Sequence, residues 1–490
     1  MAISEDTFFL DPGFAGTLQQ QIQSKVAEGI LSGRFRPGEK LPSTRGLAQH
    51  LGVSRITVTL AYTELQADDY VSAKGRSGYY VSETAPRPRL INQTIPSKID
   101  KVDWGKAIKT RRVRTQQLEK PDDWQSFRYP FIYGQADPTL FDHANWRLCA
   151  LQALGQRDFA AMTADYNERD DPRLVEFIAR HSLPRRGILA GPDEILVTLG
   201  AQNALWLASQ VLLSKRRTAV IESPSYPGLA DILGRTKCKI KTVPVDDDGL
   251  VPAEIPHGVN VVFATPSHHC PTTVTMPLSR RSQLLERAAK DDFIVIEDDY
   301  EFEMSFLQPP SPALKSLDQE GRVVHIGSFS KSLFPGLRLG YLVGSVPFIR
   351  EARALRATIL RHPPGHIQRT AAYFMSLGHY DALIKRTARA FAARRSIMAD
   401  AIRENGLTIA GGGNGGSSFW MRAPKGVDTR ALAKSLQEDG VLIEAGGAFF
   451  PENDPPQEFY RLAYSSIPDA RIAEGISRIT KAIKAQEARP

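Results

Sequence analysis

Five short, nearly uninterrupted apolar runs constrain this chain more than any other feature. They are ILVTLG (195–200), TAVIES (218–223), VNVVFATP (259–266), DFIVIEDD (292–299) and RVVHIGSF (322–329). Between them lie longer stretches with helical spacing, such as 202–213 and 278–290. A strand that is apolar at successive positions must be covered on both faces, and crossover helices between parallel strands do this. Residues from about 127 onward therefore predict an α/β domain with a mainly parallel sheet, without a fixed-period repeat. The stretch 365–490 starts as a long helical pattern and ends in mixed helix and strand, which predicts a smaller α+β lobe.

Residues 1–83 follow a different pattern. Leu18, Ile22, Val26 and Ile30 recur at helical spacing. After Pro37-Gly38, Ser43 can cap a short helix over 43–50, Gly52 suits a tight turn, and Ser54 can cap a longer helix over 54–67. Leu47, Leu51, Val53, Val58 and Tyr62 can lock the two helices together, leaving Thr44, Arg45, Arg55 and Thr57 outward. YVSAKGRSGYYVS reads as a hairpin whose tip, 74–78, carries Lys74 and Arg76. A helix with Arg and Thr near its N-terminus suits base and phosphate contact in the major groove, and the tip suits an adjacent minor groove.

Charge is unevenly spread. The 490 residues carry 62 Lys+Arg against 54 Asp+Glu, a net +8. Residues 1–83 hold eight Lys/Arg against nine Asp/Glu, whereas 84–120 hold ten against three. With Pro86, Pro88 and Pro96, the segment 84–126 predicts a basic, mainly extended linker with a short helix near 104–110, adding general attraction to phosphate. The three cysteines are far apart and form no CxxC, so a disulfide scaffold or thiolate zinc site is not expected. The adjacent His268 and His269 lack the spacing of a metal site and are expected to be packed or hydrogen-bonded. An acidic N-terminus and the absence of any run of 18 apolar residues predict a cytoplasmic chain without a membrane span.

A second constellation lies in HIGSFSKSLFPGLRLGYLVG, 325–344. Lys331 follows a strand and sits among Ser328, Ser330 and Arg338, with Gly327, Gly336 and Gly340 allowing close backbone approach. A lysine forms an imine with an aldehyde, while hydroxyls and a guanidinium hold a phosphate dianion. That combination suggests pyridoxal 5′-phosphate. Asp298 ends the strand FIVIED, where a carboxylate can pair with a pyridinium nitrogen, and Tyr300 can hydrogen-bond the ring hydroxyl oxygen. Gly200-Ala201-Gln202 opens a helix whose free N–H groups suit a phosphate, and Tyr226 in ESPSYPG can stack on the ring.

Two resemblances follow from these residues. LSGRFRPGEKLPSTRGLAQHLGVSRITVTLAYTELQADDYVSAKGRSGYYVS resembles the winged helix-turn-helix of GntR-type bacterial regulators. That resemblance implies DNA contacts by Arg45, Arg55, Thr57 and the wing at 74–78. TLGAQNAL, ESPSYPG, ATPSHHCP, IEDDYEFE and GSFSKSLFPGLRLGY resemble fold type I aminotransferases, above all the aminotransferase-like domain of MocR-type regulators, a GntR subfamily. This implies a Schiff base at Lys331, Asp298 on the pyridine nitrogen, Tyr300 on the ring oxygen, and phosphate-side positions for Ala201, Gln202, Ser328, Ser330 and Arg338. It also implies that Arg461, in FYRLAYSSI, binds a substrate carboxylate; a structural salt bridge is the other reading. Three features depart from the families. Asp69 stands where Gly is usual; Cys270-Pro271-Thr272-Thr273 replaces Asn-Pro-Thr-Gly; and GGGNGGSSFW (411–420) replaces the commoner Gly-Leu-His pattern. The glycine run reads either as a flexible loop near the ligand or as a surface loop.

The expected protein is a pyridoxal phosphate-dependent transcriptional regulator that binds a double-stranded operator. It would sense an amine or amino acid through external aldimine formation at Lys331, with no turnover required. The alternative is a working aminotransferase with an attached DNA-binding domain, in which the freed Lys331 is the general base. The resemblance also implies a homodimer, with a head-to-tail exchange of N-terminal domains as one form.

Overall fold

The computed structural model describes residues 2–86, 102–108, 118, 120–135, 137–163, 169–309, 311–412, 415–452 and 454–488. The chain divides into two compact units, Met1–Arg111 and Arg112–Pro490. Most of the expected basic linker, including Lys109, Arg111, Arg112 and Arg114, lies outside the described residues. A single turn of helix, Trp104–Ala107, is present within it.

The first unit is built from three helices and a hairpin. Helix α1, Leu18–Leu31, opens with a capping box: Thr17 Oγ1 accepts from the Gln20 amide at 3.2 Å and Gln20 Oε1 accepts from the Thr17 amide at 2.9 Å. Ser43 caps α2, Thr44–Leu51, by accepting from the Gly46 amide at 2.9 Å. Gly52 then takes φ 66°, a left-handed conformation that lets the chain reverse within two residues. Ser54 caps α3, Arg55–Ala67, by accepting from the Thr57 amide at 3.1 Å. Ile22, Val26, Leu47, Val58, Tyr62 and Leu65 interlock in the core, and the Tyr62 hydroxyl donates to the Pro42 carbonyl at 3.1 Å. Strands β1, Val71–Ala73, and β2, Tyr79–Val81, pair antiparallel around the tip. Asp69, between α3 and β1, has φ 59°, so the acid occupies a conformation that glycine adopts more easily.

The second unit carries an eight-stranded sheet. In chain order its strands are β3 Ile195–Thr198, β4 Thr218–Ser223, β5 Lys239–Asp246, β6 Gly249–Leu250, β7 Val261–Ala264, β8 Ile294–Asp299, β9 Val323–Ser328 and β10 Gly340–Val343. Their spatial order is β3-β10-β9-β8-β7-β4-β5-β6. The ladder from β9 through β5 is parallel, as the apolar runs predict. Strand β10, hidden in the glycine-rich segment after Lys331, runs antiparallel to both β9 and β3. Alternate residues feed two cores: Ala219, Ile221, Phe263 and Ile296 pack on one side, while Val220, Val262 and Val295 pack on the other.

The expected single helical run after 365 is two helices, Gly365–Ser376 and His379–Glu404, separated at Gly378 with φ 82°. The first contributes Ala371, Phe374 and Met375 to the core around β3 and β10. The smaller lobe has an antiparallel four-stranded sheet, Thr408–Ile409, Ser418–Arg422, Phe459–Ala463 and Glu444–Ala445 in spatial order. Tyr129–Pro130 joins this lobe by pairing with Val441–Leu442. Among the described residues no helix is long and apolar enough to cross a membrane. Nor do three or more His, Cys, Asp or Glu side chains cluster as metal ligands would.

Candidate functional site

The carboxyl ends of the parallel strands and the turns beyond them converge in the second unit. Asp298 lies on β8 directly opposite Ile326 of β9, and Lys331 sits three residues past the end of β9. Burial pushes the Asp298 carboxyl up to about 7, with Asp299 and Glu222 adding to it and Lys331 opposing it. Asp299 stays ionised because Arg186, itself buried, donates to it at 2.6 Å. Burial brings the Lys331 amine down to about 8 against the pull of Glu301. Its Nζ lies 4.2 Å from the centre of the Tyr133 ring, so it is held without a committed carboxylate.

A second group of atoms forms a cradle. Helix Ala201–Leu212 begins after Gly200, which has φ 83° and offers no side-chain cap to the first amides. Arg338 donates to the Leu199 carbonyl at 3.1 Å. A Cβ on Gly200 would meet Arg338 Nη2 at 3.2 Å and Ser330 Oγ at 3.3 Å. Ser328 Oγ accepts from the Ser330 amide at 3.2 Å and so orients the turn leading to Lys331. Ala201 is partly buried and Gln202 exposed at the helix start. Tyr226 and Tyr300 pack with Cys270, Trp420 and Phe449, and burial pushes the Tyr226 phenol up to about 12.

Arg461 is only 3% exposed and reaches the same place from the smaller lobe. Its Nε donates to Glu444 Oε2 at 2.7 Å, and its Cζ lies 4.1 Å from the Tyr133 ring centre. Burial opposes its charge, but Glu444 more than compensates and holds the guanidinium above its usual value. One edge of Arg461 is thus committed to an ion pair. Cys270 Sγ is 4.0 Å from its Nη1. Burial pushes that thiol up to about 11, so it stays neutral at the position where an amide is usual.

The glycine run proves to be a seam between lobes. The backbones of Gly411 and Gly415 press so closely on those of Thr272 and Met304 that a Cβ at either would collide. Ser417 donates to the buried Glu301 at 2.6 Å, and Gly416 N–H donates to the Met304 carbonyl at 3.0 Å. Residues 413–414 of the run lie outside the described residues. His269 Nδ1 meets Thr272 Oγ1 at 2.7 Å, and His268 is buried against Ser305.

Lys331, Asp298, Tyr300, Tyr226, Ser328, Ser330, Arg338, Ala201 and Arg461 thus surround one region. Three site residues carried no sequence signal. Tyr133 lies in an unremarkable apolar segment, FIYGQ, and Glu444 is legible only as the cross-strand partner of Arg461. Glu301 sits inside the acidic run EDDYEFE, where nothing separates it from its neighbours. In the first unit, Arg45 and Arg55 are exposed, Thr44 and Thr57 half-buried, and Arg55 Nε donates to Thr44 Oγ1 at 3.3 Å. Lys74 is exposed, with Nζ 5.0 Å from the Tyr80 ring centre; the Arg76 side chain lies outside the described residues.

Comparison with known proteins agrees with this division. "Bacterial regulatory proteins, gntR family" matches residues 18–81, and "Aminotransferase class I and II" matches residues 149–479. The HTH-type transcriptional regulator TauR of Rhodobacter capsulatus is 58% identical over 99% of this chain and 100% of its own length. The chain belongs to the MocR-type subfamily of GntR regulators. It is a transcription factor in which a winged helix-turn-helix is joined to a fold type I aminotransferase-like domain. The probable rhizopine catabolism regulatory protein MocR of Rhizobium meliloti is 27% identical over 96% of this chain and 94% of its own. Among solved structures, Thermus thermophilus LysN, an alpha-aminoadipate aminotransferase complexed with N-(5'-phosphopyridoxyl)-L-leucine, aligns with TM-score 0.71 and 25% identity. That match spans 79% of this chain and 100% of LysN. The second unit therefore has a pyridoxal phosphate-binding fold.

Proposed function

We propose that this MocR-type regulator binds pyridoxal phosphate at Lys331 and uses it to sense a small amine or amino acid. The observation that carries the reading is a set of buried polar atoms lacking protein partners: Asp298 Oδ1 and Ser330 Oγ. Buried polar groups are otherwise hydrogen-bonded, and these two lie where a ring nitrogen and a phosphate would supply partners. When bound, the group supplies an aldehyde that condenses reversibly with amines, on an electron-poor ring. Asp298 would hold the ring nitrogen, Tyr300 the ring oxygen, and Tyr226 a ring face. The amides of Ala201 and Gln202, with Ser328, Ser330 and Arg338, would hold the phosphate. Lys331 Nζ would hold the aldehyde by condensation with loss of water, and when an effector amine takes its place the freed Nζ would take the proton that the incoming amine gives up. The edge of Arg461 not used by Glu444 would orient an effector carboxylate.

Thr44, Arg45, Arg55, Thr57, Lys74 and Arg76 would hold operator DNA, and effector occupancy would change the placement of the DNA-reading units through the connecting segment. A homodimer fits this reading, because Leu148, Leu151, Leu154 and Phe159 expose apolar surface on two successive helices and the turn between them. Titration with amines and amino acids should change the visible absorbance of the pyridoxal phosphate-loaded protein and its operator affinity together. Lys331→Ala should lose both responses; an effector that still shifts DNA affinity in that variant would overturn the reading. The aminotransferase alternative retains support from the joint placement of Lys331 and Asp298, and sustained keto-acid production would establish it.

A further inference from the structure

Helix α3 buries Val58, Ala61, Tyr62 and Leu65 in the core of the first unit. At 3.6 residues per turn, the opposite side of the helix is occupied by Ile56, Leu60 and Thr63. Ile56 is 72% exposed and Leu60 47% exposed. Two large aliphatic side chains one turn apart on the solvent side of a two-helix DNA-reading motif are not needed for its core. Polar residues there would favour solubility. The flanks are cationic and fixed: Arg55 is tied to Thr44, and exposed Arg45 projects from α2. The unit as a whole has no positive bias, with eight Lys/Arg against nine Asp/Glu over 1–83. General phosphate attraction within it is therefore weak, and recognition must draw more on the groove itself. In the major groove the apolar group on offer is the C5 methyl of thymine.

We infer that Ile56, with Leu60 one turn behind it, reads thymine methyl groups in the operator's major groove. The inference rests on α3 being the groove-entering helix. Each methyl-to-aliphatic contact removes about one methylene's worth of surface from water, worth about fourfold in affinity (~0.8 kcal/mol). The stable position of Ile56 on the surface makes Ile56→Ala safe for folding, and alanine has the higher helix propensity.

The experiment selects duplexes from a randomised pool with the full-length protein, then remakes the best duplex with deoxyuridine in place of every thymine. Uracil keeps all hydrogen-bonding groups and lacks only the methyl. Wild type should bind the thymine duplex at least about fourfold tighter than the uracil duplex. Ile56→Ala should reduce that preference, and Ile56→Ala combined with Leu60→Ala should bind both equally and match wild type on uracil, so that the losses are coupled. Equal wild-type affinity for both duplexes, or a penalty from Ile56→Ala that is the same on both, would overturn the inference while leaving operator binding intact. Failure to select any duplex would instead overturn the assignment of α3. Should Ile56→Ala leave DNA affinity unchanged but shift full-length protein to a smaller sedimenting species, the face belongs to a second copy of the chain and the inference fails.

Discussion

Arg55 and Arg461 do opposite things with the same side chain. Arg55 stands exposed on a thirteen-residue helix and makes one local bond, to Thr44. Arg461 is buried, bound to Glu444 and stacked beside Tyr133, in a region where Glu301 is also buried and Lys331 and Asp298 are partly so. The first arrangement costs little to build and acquires its energy only when a partner arrives. The second already commits the fold to charges that must balance, so changes there are felt in stability as well as in ligand response.

The contrast can be broken most forcefully at Arg461. Arg461→Ala removes the ion-pair partner of Glu444 in the interior and should destabilise the second unit by about 3–5 kcal/mol in denaturant unfolding. Adding Glu444→Gln should restore part of that loss. A pair worth less than ~1 kcal/mol in this test would mean that Arg461 is as lightly held as Arg55. Asp298 comes next. Its folded-state value of about 7 exceeds that of an ordinary carboxyl, so the cofactor-free folded chain binds a proton that the unfolded chain releases. The contribution of Asp298 to stability should therefore fall by about 4 kcal/mol as pH rises from about 4 to about 7, and Asp298→Asn should remove that fall. Glu303, pushed by burial up to about 7 as well, keeps a residual slope in the variant. Melting curves across that range, without cofactor, measure the difference.

Arg55→Ala should lower operator affinity by roughly tenfold without moving the melting temperature of the protein by more than a degree or two, the reverse of the Arg461 pattern. The smallest effect is expected at Asp69. With φ 59° already imposed, Asp69→Gly should stabilise the first unit by about 0.5–1 kcal/mol and leave DNA affinity unchanged. Fluorescence-monitored unfolding and a binding titration check both.

The same contrast explains what could be read from the residues alone. The helix-turn-helix is written locally: Ser43, Gly52 and Ser54 set two helix starts and one turn within a dozen residues, and each takes the predicted conformation. The apolar runs likewise specify five strands and their coverage. Lys331, Asp298 and Tyr300 were legible because their chemistry is distinctive in context. Tyr133 and Glu444 were not, because each matters only through a neighbour nearly two hundred or more residues away, or on an adjoining strand. The glycine run allowed two readings because a glycine's role depends on what presses against it, here the backbones of Thr272 and Met304. Strand β10 escaped notice because its glycine and leucine content reads as part of the lysine motif rather than as a strand of reversed direction.

That reversed strand has a consequence in time. Strand β3 is at the sheet edge, and its ladder partner is β10. Residue 340 follows residue 198 by 142 positions, so during synthesis at about 5–20 residues per second β3 stays unpaired for about 7–30 s. Throughout that interval a four-residue apolar edge is open to other chains. The DNA-reading unit, complete within its first 86 residues, has no such wait. A nascent chain of this regulator thus carries a finished DNA reader well before the domain meant to control it has closed its sheet.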